Sequence, residues 1–397
     1  MIIKDITLRR ILDSRGNPTV EADITTASGF GRAAAPAGAS TGTHEAQAWP
    51  TEGVAAAIEL ARQEVVPELI GVSADEQAQV DALLHEVDST ANFSRIGGNL
   101  AVAISLATAR AAAANQGVPL FRYVAGMGDY VLPAVMGNVL GGGAHAVGGT
   151  DIQEFLVTSF DDDVSRAIDA NTAVHRAVGV ALRERFPDTA LGKGDEGAWV
   201  APLENVAALE LVVEAAQSVA DETGVDIRPG LDLAASEFYR DGKYVYRDRS
   251  LTPAEQVDFI VSLIEDYSLH SVEDPLDQED FEAWAALTAR TDALVIGDDL
   301  YVTNVARLAK GIELEATNAI LIKPNQIGTL TDTIATVALA REAGLATVIS
   351  HRSGETTDTA IAHLGVAFGC HAIKTGAVGG ERIAKLNELV RIAGELR

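Results

Sequence analysis

The chain has a single cysteine, Cys370, in 397 residues. One thiol excludes an intramolecular disulfide and any cysteine-built zinc cluster, and it suits a reducing, cytoplasmic setting. Lysine is also scarce, with seven against 23 arginines, so a lysine that closes an apolar run stands out. Long apolar runs are missing. The longest stretch without a charged residue, Tyr130 to Thr150, contains Pro133 and many glycines and is too broken to cross a bilayer as a helix. The opening Met1-Ile2-Ile3-Lys4-Asp5 lacks the apolar core of a secretion signal. Positive charge is in deficit: 57 acids face 30 bases, a net of −27. Such a field repels nucleic acid and anionic membrane. An acidic, lysine-poor surface also fits a salty interior.

What is present is globular. Apolar residues are 47% and charged residues 22%, near the averages for folded domains. Ile6, Leu8, Val20, Ala22 and Ile24 alternate with polar residues on either side of a turn signal, Asp13 to Pro18, and predict antiparallel strands. Residues 31–43 form a small-residue loop, and 52–117 are alanine-rich with a helical period, broken near Pro67-Glu68 and Gly97-Gly98. Residues 1–125 therefore read as an α+β domain. Beyond 130 two apolar runs, Val131–Leu140 and Gln153–Val157, precede helical stretches near 162–186 and 203–223. Six units of strand then helix follow. Two strands plus six give the arithmetic of a (β/α)8 barrel over 130–397. A doubly wound sheet would also alternate, but would not place a polar residue at the end of every strand.

Those ends are Asp232, Glu273, Asp298, Lys323, Ser350-His351 and Lys374. Barrel active sites lie at the C-terminal ends of the strands. Three carboxylates on consecutive strands repel one another unless a cation sits among them, and oxygen-only donors favour Mg²⁺ over zinc. A single acid there would more simply cap a helix or pair with an arginine. Lys323 ends the run Ala319–Ile322 and, near another ammonium, could work as a base. Glu196, in Gly194-Asp195-Glu196-Gly197, is a candidate acid. A metal with a lysine base suits proton abstraction beside a carboxylate.

Other signals are weaker. Residues 192–197 fit GxGxxG without the strand–turn–helix setting of a dinucleotide site. Asn92-Phe93-Ser94 fits a glycosylation sequon. His44, His85, His175, His270, His363 and His371 lack metal-ligand spacing and read as structural, with His44 open because it lies beside the Ser40 loop. The alanine-rich stretch 101–114 reads as packing.

Longer motifs carry a resemblance. DSRGNPTVEA (13–22), GASTG (38–42), GGGAHAVGGTDIQEF (141–155), GDEG (194–197), LDLAASEFYRDGKY (231–244), SVEDPLDQED (271–280), GDDLYVTN (297–304), ILIKPNQIGT (320–329), ISHRSGETTDT (349–359) and IKTGAVGGER (373–382) are similar to the enolase family over nearly the whole chain. The resemblance implies an N-terminal α+β cap and a ββαα(βα)6 barrel whose second strand runs antiparallel. It implies reversible dehydration of 2-phosphoglycerate to phosphoenolpyruvate, as in glycolysis and gluconeogenesis. Carried over residue by residue, Asp232, Glu273 and Asp298 match the ligands of a first Mg²⁺, and Ser40 matches a ligand of a second that arrives with substrate. Lys323 matches the base and Glu196 the acid. Lys374 matches the holder of the substrate carboxylate, and Arg352 and Ser353 the phosphate clamp. His145, Gln153, Glu154 and His351 match other substrate-facing positions. The resemblance further implies homodimers or octamers built from dimers, and mobile loops near 38–43 and 141–151. The chain departs from the family pattern at Gln47-Ala48-Trp49-Pro50, where the loop is shortened, at Arg95 to Leu100, and at Ala198 to Pro202, one residue longer. Two other readings remain: a relative acting on another carboxylate, and a non-catalytic binding protein that kept the fold. The intact phosphate clamp and acid argue against the first. The retained, mutually repelling strand-end charges argue against the second.

Overall fold

A computed structural model describes residues 1–396 apart from Ser40, Met127, Asp129 and Val147. Three strands open the chain: β1 (Asp5–Leu12), β2 (Pro18–Thr25) and β3 (Phe30–Ala34) form an antiparallel meander. Helix Gly98–Gln116 lies across β2 and β3 with almost every residue buried. Its alanines allow the close approach, and so does Gly31, where a Cβ would stand 2.0 Å from the Ala107 carbonyl oxygen. The alanine-rich stretch is thus packing, as its composition suggests.

The expected break at Pro67 does not occur. Residues 54–69 run on as one helical segment with a π-helical turn at Ala61–Val65, and Pro67 sits in the first turn after it. There its missing N–H costs little. The break comes instead between Leu69 and Gln77.

The barrel follows. Its strands are β4 (Ala134–Gly141), β5 (Glu154–Phe160), β6 (Asp226–Asp232), β7 (Ser271–Glu273), β8 (Leu294–Gly297), β9 (Ala319–Ile322), β10 (Ala346–Ser350) and β11 (Ala372–Lys374). They pair in sequence order, and β11 closes on β4. β5 runs antiparallel to both neighbours, and all other pairs are parallel. Met136, Leu156, Ile296, Ala319, Leu321, Val348 and Ala372 fill the interior, so the barrel is a packed core. Residues 192–200, including the GxGxxG stretch, form a small hairpin laid against β4 rather than a strand–helix turn.

The β1–β3 unit sits over the end of the barrel where the parallel strands finish. Ala37 and Gly354 exchange backbone hydrogen bonds, Ala46 N–H donates to Gln326, and Arg110 pairs with Asp358. Asp358 is half-buried, yet that guanidinium holds its carboxyl below the ordinary range. Among the described residues, no helix is long and apolar enough to cross a membrane.

Candidate active site

Strand direction explains why acids from non-adjacent parts of the sequence meet. The parallel strands finish at one mouth of the barrel. The reversed β5 begins there, which brings Gln153 and Glu154 to the same place. The register sets Glu154 beside Asp232, and Asp232 beside Glu273. Asp298 and Lys323 come one residue past β8 and β9. Lys374 ends β11, paired with Ser350 of β10, and His351, Arg352 and Ser353 follow directly. One small cavity is lined by His145, Gln153, Glu154, Glu196, Asp232, Asp298, Lys323, His351, Arg352, Ser353 and Lys374. Every described residue singled out from the sequence for this site lies here, with Glu273 just behind Lys374. Ser40 lies outside the described residues.

The cavity is electrostatically crowded. Lys374 Nζ lies 2.9 Å from Asp232, 2.8 Å from both oxygens of Glu273 and 3.4 Å from Glu154. Lys323 Nζ pairs with Asp298. The three acids expected to share one cation are therefore divided, with Asp232 and Glu273 facing one ammonium and Asp298 the other. Among the described residues, the acid and histidine atoms that converge within 4.8 Å form two other sets, His145–Glu154–Glu196 and Asp274–Asp298–Asp299. Asp274 has a structural task. Its carboxylate accepts the backbone N–H groups of Asp298 and Asp299 at 2.9 and 2.8 Å, fixing the turn after β8.

Burial and neighbours pull these groups in different directions. Burial raises Glu273, and repulsion from Asp232 adds to it. Burial also raises Glu154, helped by Glu196. Burial pushes Asp298 up as well, but the Lys323 ammonium outweighs it and holds the carboxyl below its ordinary value. Burial alone would lower Lys323, yet Asp298 leaves it above the usual lysine value. That is the opposite of what a base at neutral pH needs, so Lys323 rests here as a protonated ion-pair partner. Glu196 is likewise displaced downward. Its burial penalty is overcome by His351 and His145.

Glu196 rides on a turn that needs Gly197. That glycine has φ +78°, and a Cβ there would meet the Val378 carbonyl at 2.6 Å. Asn138 of β4 donates to Glu196 Oε2 at 3.1 Å, and His351 Nε2 stands 3.3 Å from Oε1. Arg382 donates to His351 Nδ1 at 2.8 Å. A guanidinium has no lone pair to offer, so Nδ1 is the acceptor and the ring proton sits on Nε2, which lies beside Glu196 without a hydrogen bond to it. Burial drives His351 down to about 3, which keeps the ring neutral.

Two residues that the strand-end pattern did not single out organise the site. Arg382, fully buried, donates to the carbonyls of Asp195 at 3.2 Å and Ser353 at 2.6 Å. It thereby ties the turn of Glu196 to the segment after β10. Its only signal in the sequence was its place at the end of IKTGAVGGER. Glu45 grips Arg352 in two parallel bonds of 2.9 and 3.0 Å. The fork expected for a phosphate thus holds a carboxylate from the cap loop. Of the histidines read as structural, His85 meets Asp332, His175 the Gly197 carbonyl, His363 Glu388, and His270 and His371 each other, while His44, left open, meets Glu279.

An oxygen-rich donor set of three buried carboxylates, without cysteine or histidine, fits a hard divalent cation. Gln153 Oε1, Glu154 Oε2 and Ser353 Oγ are buried without a hydrogen-bond partner, so polar capacity is left over for a polar ligand.

Comparison with known proteins agrees with this geometry. Residues 3–124 match the family described as Enolase, N-terminal domain, and residues 129–397 match Enolase, C-terminal TIM barrel domain. The enolase of Methanosphaera stadtmanae is 51% identical over 100% of this chain and 97% of its own. The enolase of Halorubrum lacusprofundi is 53% identical over 99% of each chain, and that of Halobacterium salinarum 51% over 99% of each.

Proposed function

The chain belongs to the enolase family of hydro-lyases, and from that premise we propose that it interconverts 2-phosphoglycerate and phosphoenolpyruvate. The observation that carries the assignment of roles is that Lys323 and Glu196 line one cavity from separate walls. Lys323 follows β9, and Glu196 is bonded to β4, three strands further round the barrel. A base and an acid so separated suit removal of a proton from C2 and loss of a hydroxyl from C3 of one substrate.

Lys323 takes the C2 proton after releasing Asp298. Glu196, held by Asn138 beside His351, carries a proton to the departing hydroxyl. Lys374 turns from Asp232 and Glu273 to the substrate carboxylate. Arg352 exchanges Glu45 for the phosphate, for which its planar fork is equally suited, with Ser353 beside it. His145, Gln153 and Glu154 complete the polar lining. Asp232, Glu273 and Asp298 would hold one Mg²⁺ and Ser40 would help hold a second. Bound there, the two ions supply positive charge that offsets the dianion formed on proton removal.

The cavity offers about 20 Å³ to a water-sized occupant, room for roughly one water molecule. Substrate entry therefore requires these lysine and arginine pairs to open. The proposal includes a cytoplasmic, glycolytic setting, a division into residues 1–125 and 130–397, and assembly as homodimers or octamers of dimers.

The direct test is formation of phosphoenolpyruvate from 2-phosphoglycerate with and without Mg²⁺, followed by ultraviolet absorbance. Two variants test the roles. Lys323→Ala loses exchange of the C2 hydrogen with deuterated solvent, whereas Glu196→Gln loses dehydration but keeps exchange. Exchange that survives Lys323→Ala removes lysine from the role of base.

A further inference from the structure

Two fully buried polar side chains beside the base have no part in the roles assigned above. Thr303 lies in the turn after β8, and Gln326 in the short helix Pro324–Ile327 after β9. Asp298 divides its carboxylate. Oδ2 pairs with Lys323 Nζ, while Oδ1 accepts from Gln326 Nε2 at 2.8 Å. The same amide nitrogen lies 3.3 Å from Glu45 Oε1, so its two hydrogens serve two carboxylates.

Thr303 fixes which way that amide faces. Its hydroxyl oxygen accepts the backbone N–H of Lys323 at 2.9 Å, and its proton goes to Gln326 Oε1 at 2.8 Å. Reversed, the amide would turn its oxygen toward both Asp298 and Glu45, which have no proton to give. The backbone of Gln326 is held as well. Its N–H donates to the Lys323 carbonyl at 2.9 Å, and its carbonyl accepts from Ala46 at 2.7 Å. One hydroxyl thus touches both the residue that carries the base and the amide that carries the partner of the base.

The chain is strained where it places this hydroxyl. Val302 and Thr303 have φ of +44° and +55°, a left-handed conformation that is an outlier for β-branched residues. Such strain persists only where the surroundings enforce it, and it gathers at functional sites. The enforcing contacts are present. The Thr303 carbonyl accepts from the Thr336 hydroxyl at 2.8 Å, and Val302 packs under the cap loop, where a Cβ on Gly42 would stand 2.5 Å from Val302 Cγ1.

We propose that Gln326, oriented by the Thr303 hydroxyl, is a positioning residue for proton transfer: it holds Asp298 Oδ1 and so presents Oδ2 to Lys323 and to the cation. The proposal rests on the roles given above to Lys323 and Asp298. An unheld carboxylate could rotate and grip the ammonium with both oxygens, which would oppose release of Lys323. The hold survives that release, because neither bond of the amide involves Lys323 Nζ. A neutral amide also orients the carboxylate while leaving its full charge for a cation. Partners of this kind fix metal-ligating carboxylates, and their loss weakens metal binding or activity by about 10–100-fold.

The test uses the full chain, with Mg²⁺ alone as one probe and 2-phosphoglycerate with Mg²⁺ as the other. Turnover of the parent comes first. Its absence would count against the reading of the reaction, and Mg²⁺ affinity, read by calorimetry without substrate, still tests the positioning. Gln326→Met keeps the length of the side chain without the amide. It should bind Mg²⁺ about 10–100-fold more weakly and, with metal and substrate saturating, exchange the C2 hydrogen at least about tenfold more slowly. KM for 2-phosphoglycerate should move less than about threefold, since Gln326 meets no group assigned to the substrate. Thr303→Val keeps the shape but not the hydroxyl and should share both losses. Thr303→Ser keeps the hydroxyl and should stay near the parent. Parent-like Mg²⁺ affinity and exchange in Gln326→Met overturn the proposal. So does a Thr303→Ser variant that falls as far as Thr303→Val, because packing rather than the hydroxyl would then be at work. If Gln326→Met fails to fold, Gln326→Asn keeps the amide but falls one methylene short of Asp298, and reads the same two quantities.

Discussion

Replacing Lys374 with methionine separates its electrostatic task from its bulk. In the structure its ammonium is buried and shared by Asp232, Glu273 and Glu154 at 2.8–3.4 Å. Lys374→Met preserves most of the stem but leaves three buried carboxylates without their cation. Removing one partner of a buried ion pair typically costs about 3–5 kcal/mol. The barrel family match spans 129–397, roughly 270 residues. At an unfolding entropy near 2.1 cal/mol/K per residue, that cost lowers the melting temperature by about 5–9 °C. The sign with pH follows from the raised values of Glu154 and Glu273. A carboxyl whose folded pKa lies above its unfolded one favours the fold below the unfolded value, and loses that contribution as pH rises through the folded value. The deficit of the variant should therefore be smallest in mild acid and grow toward alkaline pH. A divalent cation can replace the missing charge. The parent gains from Mg²⁺ too, so only a difference in affinity restores the deficit. A variant that binds Mg²⁺ about a hundredfold more tightly than the parent recovers about 2.7 kcal/mol, more than half of a deficit near 5 °C. The assay is differential scanning calorimetry of parent and variant in a chelator and in saturating Mg²⁺. A drop that is the same in both conditions, or a variant gaining less from Mg²⁺ than the parent does, would refute the idea that Lys374 and a metal serve the same carboxylates.

Gly179→Ala should lower both stability and turnover. The new Cβ would stand 2.5 Å from the Trp199 ring, and Trp199 follows Glu196 by three residues on the same hairpin. Alanine gains up to ~1 kcal/mol as a helix former, but overpacking against a rigid indole costs about 1–3 kcal/mol; a more stable, fully active variant would show that the hairpin yields freely. Glu45→Gln should lower the KM for 2-phosphoglycerate several-fold, because the phosphate no longer competes with a carboxylate for Arg352, and a raised KM in steady-state assays would make Glu45 a holder of the closed loop instead. Acid should destabilise the fold partly through His270. Between its unfolded value near 6.5 and about 4 in the fold, only the unfolded chain binds the proton, so stability falls as pH falls through that window. His270→Asn should flatten that part of the stability–pH curve measured by denaturant titration.

Much of the fold was legible because it depends on local patterns. Alternation in β1 and β2, apolar runs ending in polar residues, and the helical period between them follow from how strands and helices bury one face. The strand ends Asp232, Glu273, Asp298, Lys323 and Lys374 could be placed at one mouth because the parallel strands all finish there. Pro67 misled because local propensity does not foresee a π turn that absorbs it. Arg382 and Glu45 were not legible as parts of the site. Each acts on a partner about 30 or 307 residues away, and nothing at its own position marks that contact.

The sequence by itself determined the two-part architecture, the family resemblance and which charged residues gather at the barrel mouth, since these rest on periodicity and on motifs contiguous in the chain. Only the tertiary structure decided how those charges pair. Lys374 rather than Lys323 lies among Asp232, Glu273 and Glu154, Glu45 occupies the fork of Arg352, and Arg382 sets the tautomer of His351. It also brought His270 and His371, 101 residues apart, into contact across the barrel floor. Pairing among buried charges depends on distance and desolvation, and both are fixed only when the barrel closes.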